Sequence, residues 1–467
     1  MSITDASAIL RVCCCTAALV ATGCVFAPEQ NAAYIREIIP KHWTATAPAT
    51  AQPVTEWVDS FADPALTAVV NDALNHNFDL KAAAARVDAA REQTLIAGVG
   101  RLPQLAFIPG YQRTSSGSGT VNNATGVADF GAFDALLTLS WELDVWGRIK
   151  AAQQAVRQDA AAVSADFQGA RLSLAARTAQ SYFELIEANL QNEVAEQSIK
   201  ERGIIVELVR GRFTRGLTRG LDLRLALTDL ANAKAQLARS RNQAQLVSRR
   251  LDILLGRYPN GAKNASARLL PAPPAVLSAG LPSELLERRP DIIAAFLRLR
   301  AMDSRVESAK KALLPRITLT ASGGVSSPAL TDLIDPRSAA WNLTMGLIQP
   351  VFTGGRLQGE IRLNEALTQV ALNQYQSTTL NAFREVEQSL AAEQWLRAQE
   401  QALKEAVEQT EASRKLAVKS YQQGLIDILT LLDSYRSTLN AQSAHLLVQR
   451  QLLGNRIDLY LALGGGV

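Results

Sequence analysis

The chain has 467 residues, with 48 basic and 44 acidic side chains, a net charge of +4 and 48% hydrophobic residues. That length suits two or three average domains, and so weak a charge excess argues neither for nor against nucleic acid; only short basic runs such as SRR (248–250) could serve it, and they fall on expected helix surface, so no nucleic acid is expected. Mean hydropathy is near zero, and beyond residue 24 no apolar run reaches the roughly 18 residues of a transmembrane helix.

All four cysteines, Cys13, Cys14, Cys15 and Cys24, lie at the start of the chain. Arg11 precedes an apolar run that ends in Ala21-Thr22-Gly23. This is the layout of a secretory signal peptide, and the run is too short to span a bilayer. The Ala-Thr-Gly-Cys ending resembles the lipobox of bacterial lipoproteins. Residues 1–23 are therefore expected to be removed, with Cys24 as the lipid attachment site. Val25 follows it, where Asp would favour retention at the inner membrane, so the outer membrane is expected. The remaining chain has no cysteine for disulfides or zinc.

Residues 24–75 precede a duplication. Residues 78–105 align without gaps on 290–317: Asp79 on Asp291, Ala83 on Ala295, Arg86 on Arg298, Leu102-Pro103 on Leu314-Pro315. Gly147-Arg148 matches Gly355-Arg356, and FTRGL (213–217) matches YQQGL (421–425). That last offset also places Asn232-Ala233 on Asn440-Ala441 and Leu255-Gly256 on Leu463-Gly464. The repeats span 76–256 and 291–467, joined by a Pro-rich linker, 257–290.

Each repeat reads as helix, two strands, long helix, turn, helix. Residues 79–102 and 291–314 are Ala- and Arg-rich and stop at a Leu-Pro pair, which disfavours further helix. Residues 148–212 and 356–423 hold no proline and predict helices about 100 Å long. Helices over 218–255 and 426–463 end at Gly256 and Gly464, a common stop. The two shorter helices of a repeat together match the long one and could stack along it. The apolar stripes are narrow and alanine-rich, which suits helices that touch two neighbours in a coiled-coil sheet or hollow tube. A solid bundle or a dimeric coiled coil also fits the helix pattern.

Strands are expected at about 104–114, 131–146, 315–325 and 340–352. Phe133, Ala135, Leu137, Leu139, Trp141, Leu143 and Val145 alternate with Asp134, Leu136, Thr138, Ser140, Glu142 and Asp144. Trp341, Leu343, Met345 and Leu347 repeat the apolar face. One apolar and one polar face suits a membrane β-barrel or any half-buried sheet. Four strands are too few for a barrel, since the smallest have about eight, and lipid does not tolerate open edges. If these strands enter a membrane, several chains share the barrel; three would supply twelve strands.

With LPSELLERRPDI (281–292), ALLPRITLTASGG (312–324), ELDVWGR (142–148), QPVFTGGRL (349–357) and SYQQGLIDILTLLDSYR (420–436), the chain resembles the TolC-like outer membrane factors, in their NodT-type lipoprotein branch. It differs at Phe296, where an acidic residue is usual. The resemblance implies a mainly α homotrimer: a helical α-barrel in the periplasm below a shared twelve-stranded barrel in the outer membrane. It implies an export duct for small amphiphilic compounds, working with a periplasmic adaptor and an inner-membrane transporter of RND type. The adaptor-contact tips map to Phe213, Gly216 and Leu217 and to Tyr421, Gly424 and Leu425. The periplasmic aperture maps to Leu429 and Asp433, with Asp427 and Arg436 able to pair across helices. The alternative is a structural coiled-coil envelope lipoprotein or adaptor without a pore.

No catalytic constellation appears. His42, His76 and His445 are scattered, and no phosphate loop, nucleophile elbow or metal-ligand spacing is present. No cofactor is expected. Metal export would favour methionine or histidine clusters along the lumen, and beyond the initiator only Met302 and Met345 occur.

Overall fold

The computed structural model describes residues 39–40, 42–45, 57–117, 127–261, 269–275 and 282–466, with the side chains of 114–117 and 127–130 excepted. Cys24 and the proposed signal peptide lie outside the described residues. In chain order the elements are a 3-10 turn (Trp57–Phe61), α1 (Pro64–His76), α2 (Phe78–Val99), β1 (Gln104–Gly117), β2 (Val127–Leu143), α3 (Arg148–Thr214), α4 (Gly220–Leu254), α5 (Leu285–Arg288), α6 (Pro290–Lys311), β3 (Arg316–Ser327), β4 (Ala339–Ile348), α7 (Arg356–Gln422) and α8 (Ile428–Ala462). The duplication is literal in length: α2 and α6 have 22 residues each, α3 and α7 have 67, and α4 and α8 have 35. The chain divides into two compact units.

The described residues of the first unit are 94–117, 127–157 and 299–372, and they hold an antiparallel sheet in the order β1-β2-β3-β4. Its register joins the apolar positions of four strands into rows. Leu105 pairs Leu139, Leu139 pairs Ala321, and Ala321 pairs Leu343. Phe107, Leu137, Gly323 and Trp341 form the next row, and Trp141, Leu319 and Met345 another. The alternate positions carry Gln104, Ser140, Thr320 and Thr344 in one row and Thr138, Ser322 and Asn342 in another. Trp341 is 84% exposed, Met345 72% and Leu105 67%, so the apolar face is uncovered in the single chain. β1 and β4 each pair on one side only among the described residues.

Strand ends differ from the sequence expectation. β2 stops at Leu143, although the alternation runs on to Val145. The Asp144 carboxylate accepts from the backbone N–H of Ile149 (2.9 Å) and Lys150 (2.7 Å), opening α3 in place of the ladder. Trp146 Nε1 donates to Pro315 O at 2.7 Å, tying this turn to the start of β3. Arg148 pairs with Glu142 at 2.8 Å, and Gly147 takes a left-handed φ of 75°. The ELDVWGR stretch is thus a strand-to-helix corner. β4 likewise ends at Ile348, ahead of the coil 349–353.

The described residues of the second unit are 39–40, 42–45, 57–93, 158–261, 269–275, 282–298 and 373–466. One core of this unit gathers Trp57, Phe61, Leu66 and Val70 from the N-terminal segment against Tyr182, Phe183 and Ile186 of α3 and Leu453, Ile457 and Tyr460 of α8. Trp57 stacks on Tyr460 at 5.6 Å, and Tyr182 Oη donates to Asp63 at 3.0 Å. The sequence reading left α1 unassigned. Asp63 caps it, accepting from the N–H of Ala65 and Leu66, with Pro64 in the first turn. Phe296 packs on the Tyr375 ring at 5.6 Å, so the unusual apolar residue has an aromatic neighbour.

The junctions between stacked helices repeat as well. Asn77 Nδ2 donates to Leu254 O at 3.0 Å, closing the end of α4. Arg289, in the matching place, donates to Ala462 O at 3.0 Å, closing α8. Arg289 also holds Asp291 (2.7 Å) and Glu385 (2.8 Å), and these two carboxylates push its pKa up against the opposing effect of burial. The ELLERRPDI stretch is therefore a junction clamp. Gly256 and Gly464, at φ 67° and 70°, lie against the carbonyls of His76 and Arg288. A Cβ on Gly256 would sit 2.5 Å from His76 O. Gly216, at φ 72°, has nothing within 4 Å of that position. Gly216→Ala is expected to cost about 1–2 kcal/mol from its backbone alone, and Gly256→Ala distinctly more. Thermal unfolding of both variants in detergent checks the order.

Candidate functional site

The two helical hairpins of the second unit end in matching turns. At the first, Leu217 N–H donates to Arg212 O (2.9 Å) and Gly216 N–H to Phe213 O (2.9 Å). At the second, Leu425 N–H donates to Ser420 O (2.9 Å) and Gly424 N–H to Tyr421 O (3.1 Å). These are Schellman closures, which need a left-handed residue in the fourth place of FTRGL and YQQGL. Gly216 and Gly424 supply it without steric cost.

Of the six tip residues read from the sequence, Phe213, Gly216, Leu217, Gly424 and Leu425 are exposed. Tyr421 is 4% exposed. The Arg212 guanidinium lies 5.1 Å above its ring and donates to Tyr421 O (3.2 Å) and Gln422 O (3.1 Å). Arg212, at the end of α3, thereby satisfies the free carbonyls at the end of α7. Burial pushes the Tyr421 phenol pKa up. Beneath the tips, Ile205, Val206, Val209, Ala226, Ile428, Leu431, Leu432 and Tyr435 form one cluster with Tyr421. Tyr421 is a packing residue, and its duplicate Phe213 is the one at the surface.

Asp427 is the N-cap of α8. Its carboxylate accepts from Thr430 N (2.8 Å) and Thr430 Oγ1 (2.6 Å), which holds its pKa below the ordinary carboxylate range. Leu429 and Asp433 follow one turn apart, on the face away from Ile428, Leu431, Leu432 and Tyr435; both are exposed, Leu429 by 54%. Asp427 and Arg436 belong to the same helix, and within the chain the Asp427 carboxylate holds its own cap. Arg436 Nε instead lies 3.5 Å from Asp229 of α4.

Asp229 is the centre of a buried group that the sequence reading missed. Arg202 Nε donates to Asp229 Oδ2 at 2.5 Å, and both residues are at most 6% exposed. Arg202 also donates to Ser198 Oγ. Beside it Arg414 pairs with Glu201 and lies 5.3 Å from the Tyr435 ring. The available signal was positional: Asp229 falls on the Ala226–Ala233 seam of α4, where a charge needs a partner. His76 is engaged by Asp72 and His445 by Glu400, each at 3.0 Å. Among the described residues no group of three or more His, Cys, Asp or Glu side chains could hold a metal ion, and no helix is long and apolar enough to cross a membrane.

An antiparallel sheet with one lipid-compatible face and two open edges, joined to long paired helices, defines a subunit of a membrane channel. Residues 69–257 and 281–465 match the family described as "Outer membrane efflux protein". The pyoverdine export outer membrane protein OpmQ of Pseudomonas putida is 33% identical over 91% of this chain and 92% of its own length. Outer membrane protein OprJ of Pseudomonas aeruginosa is 33% identical over 88% and 86%. The solved structure of the outer-membrane channel OprN is 27% identical, with a TM-score of 0.84 over 92% of this chain and 98% of that one. The chain belongs to the outer membrane efflux protein family: it is an export duct of the outer membrane and not an enzyme.

Two outcomes follow from the site. Asp229→Ala leaves Arg202 buried and unpaired, which is expected to cost about 3–5 kcal/mol. The double variant Arg202→Met/Asp229→Leu is expected to recover most of that loss in thermal unfolding. Asp427→Ala removes a cap whose carboxyl pKa is depressed in the folded chain, so the lost stability is present above the ordinary carboxylate range. The gap between variant and parent is therefore expected to be full at pH 7 and to close as pH falls below about 4, read from paired melting curves.

Proposed function

We propose that three copies of the chain close one twelve-stranded barrel, with β4 of each copy pairing β1 of the next. The single observation that carries this reading is the sheet itself: a continuous apolar face across four strands and two unpaired edges. Lipid cannot satisfy the backbone donors and acceptors of an open edge. Cys24 supplies a lipid anchor in the same membrane. The helical unit hangs in the periplasm as a tunnel and meets a periplasmic adaptor at Phe213, Gly216, Leu217, Gly424 and Leu425, with Tyr421 shaping the second tip from within. The adaptor links the duct to an inner-membrane transporter of RND type, which supplies the energy.

Leu429 and Asp433 form the periplasmic aperture. Both side chains leave the chain's own core on one face of α8, free to approach an axis shared with other copies. A ring of leucines excludes water; carboxylates close together repel one another and attract cations. The cargo is a class of small amphiphilic compounds. The polar face of the sheet mixes hydroxyl and amide side chains with a few charges, Asp134, Glu142 and Arg316, and suits passage of molecules with both polar and apolar parts.

The duct is tested by mass and by conductance. Detergent-corrected mass of the protein extracted from outer membranes is expected to equal three chains; a monomer or dimer contradicts the shared barrel. In planar bilayers Leu429→Ser is expected to raise conductance several-fold. Asp433→Asn is expected to lower the preference for cations. Unchanged conductance in both variants places the aperture elsewhere.

A further inference from the structure

The second hairpin, α7 and α8, carries a buried polar group that the first hairpin does not share. The alignment that places Arg356 on Arg148 puts Glu393 on Leu185, Asn455 on Val247 and Arg456 on Ser248. In the first repeat these places belong to an apolar core, where Leu185 and Val247 join Leu251 and Leu255. In the second they are charged and just as deeply buried: Arg456 is 0% exposed and Glu393 6%. Burying ions costs free energy unless each is paired and hydrogen-bonded, and here they are. The Glu393 carboxylate accepts from Arg456 (2.6 Å), Arg397 Nε (2.7 Å) and Asn455 Nδ2 (3.2 Å). Arg456 also donates to Ala275 O at 2.9 Å, which pins the Pro-rich linker onto the hairpin.

Between the pinned linker and the two helices lies a cavity of about 450 Å³, within the roughly 300–1,000 Å³ of pockets that take small ligands. Its apolar wall is Leu270, Pro271 and Pro273 of the linker with Leu452 of α8. Its polar groups are Arg397, Glu400 and Gln401 of α7 and Gln449 of α8. Arg397 gives Nε to Glu393, which leaves its two terminal nitrogens for a ligand. Glu400 gives one carboxylate oxygen to His445 at 3.0 Å, which leaves the other. Both side chains reach solvent, 49% and 26% exposed. Arg397 and Arg456 balance Glu393 and Glu400, so the site has two separated poles and no net charge when histidine is neutral. Arg397 and Glu400 stand three residues apart on one helix, about 5–6 Å between Cβ atoms. An ion of either sign would leave one pole unmatched, whereas a zwitterion matches both. Proline has no N–H, so the linker wall offers apolar rings and carbonyl oxygens only at those two places.

We propose that this cavity binds a small zwitterion of the amino-acid kind, a free amino acid or a dipeptide, with its carboxylate on Arg397 and its ammonium on Glu400. The guanidinium fork matches a carboxylate with two parallel hydrogen bonds. A small apolar side chain lies on Leu452 and the proline rings. The amides of Gln401 and Gln449 both donate and accept, which suits a peptide bond. All of these groups belong to one chain and to its helical unit, so the site stands whether or not three copies close a barrel. It arises where the linker, which belongs to neither repeat, crosses the second hairpin.

Calorimetric titration of the full-length protein in detergent tests the site, with alanyl-alanine as the probe. The dipeptide is expected to give saturable heat. N-acetyl-alanyl-alanine lacks the ammonium and alanyl-alanine amide lacks the carboxylate. Each is expected to bind about tenfold more weakly or worse, the loss of one charge-assisted hydrogen bond. Arg397→Gln and Glu400→Gln are each expected to weaken the free dipeptide by a similar factor. Arg397→Gln is further expected to erase the difference between the dipeptide and its amide, and Glu400→Gln that between the dipeptide and its acetylated form. A general loss of structure would not sort the two blocked peptides in this way. Should either variant fail to fold, the blocked peptides on the parent protein still decide. No saturable heat from alanine or alanyl-alanine at millimolar concentration overturns the proposal. Equal affinity for free and blocked dipeptides overturns it as well. Tighter binding of glycerophosphoethanolamine than of the dipeptide gives the cavity to a lipid headgroup, and the amino-acid assignment falls.

Discussion

Backbone hydrogen bonding at the two free strand edges is the constraint on which the rest of the molecule depends. Every interior strand of the sheet is paired on both sides, and the register lines apolar side chains into rows that only a nonpolar medium would accept. In such a medium an unpaired N–H or C=O costs several kcal/mol. Among the described residues, β1 and β4 each have one edge with no neighbouring strand. The chain therefore cannot be a finished membrane object alone, and the missing partner must offer a strand of opposite direction and matching alternation. A further copy of the chain meets both requirements by construction.

The same economy runs through the helical unit. All four helix ends that meet a turn close on glycine with left-handed φ: Gly216, Gly256, Gly424 and Gly464. At the outer tips the turn is open to solvent, while at the stacked junctions a carbonyl of the next helix crowds the glycine. The two halves solve the junction with different chemistry. Asn77 closes α4 with a neutral amide, and Arg289 closes α8 with a guanidinium shared by two carboxylates. The halves also part below the tips, where Arg202, Asp229 and Arg436 bridge α3, α4 and α8 and where Leu225 stands in place of Asp433. The duplication thus gives a nearly regular wall, and its departures mark where one half does something the other does not.

Several motifs change meaning once their contacts are seen. ELDVWGR is a corner, because Asp144 leaves the strand alternation to cap α3 and Trp146 reaches across to Pro315. LPSELLERRPDI is a clamp on the end of α8. Tyr421 looks like a surface aromatic in sequence, in the same place as Phe213, yet Arg212 covers it. In each case the residue type alone leaves open which neighbour it meets.

The sequence by itself determined the duplication, the type of each main element and the alternation of the sheet, because periods of 2 and 3.6 residues and the Gly and Pro stops are local properties. It also placed Leu429 and Asp433 on one helix face, since four residues make about one turn. Helix α1 escaped because its 13 residues are short and its cap, Asp63, is also a tertiary ligand of Tyr182. The Arg202–Asp229 pair, the division of Asp427 and Arg436 between separate partners, and the burial of Tyr421 were decided only by tertiary structure. They depend on which helices become neighbours across 27 to more than 200 residues of chain, and no local pattern encodes that distance.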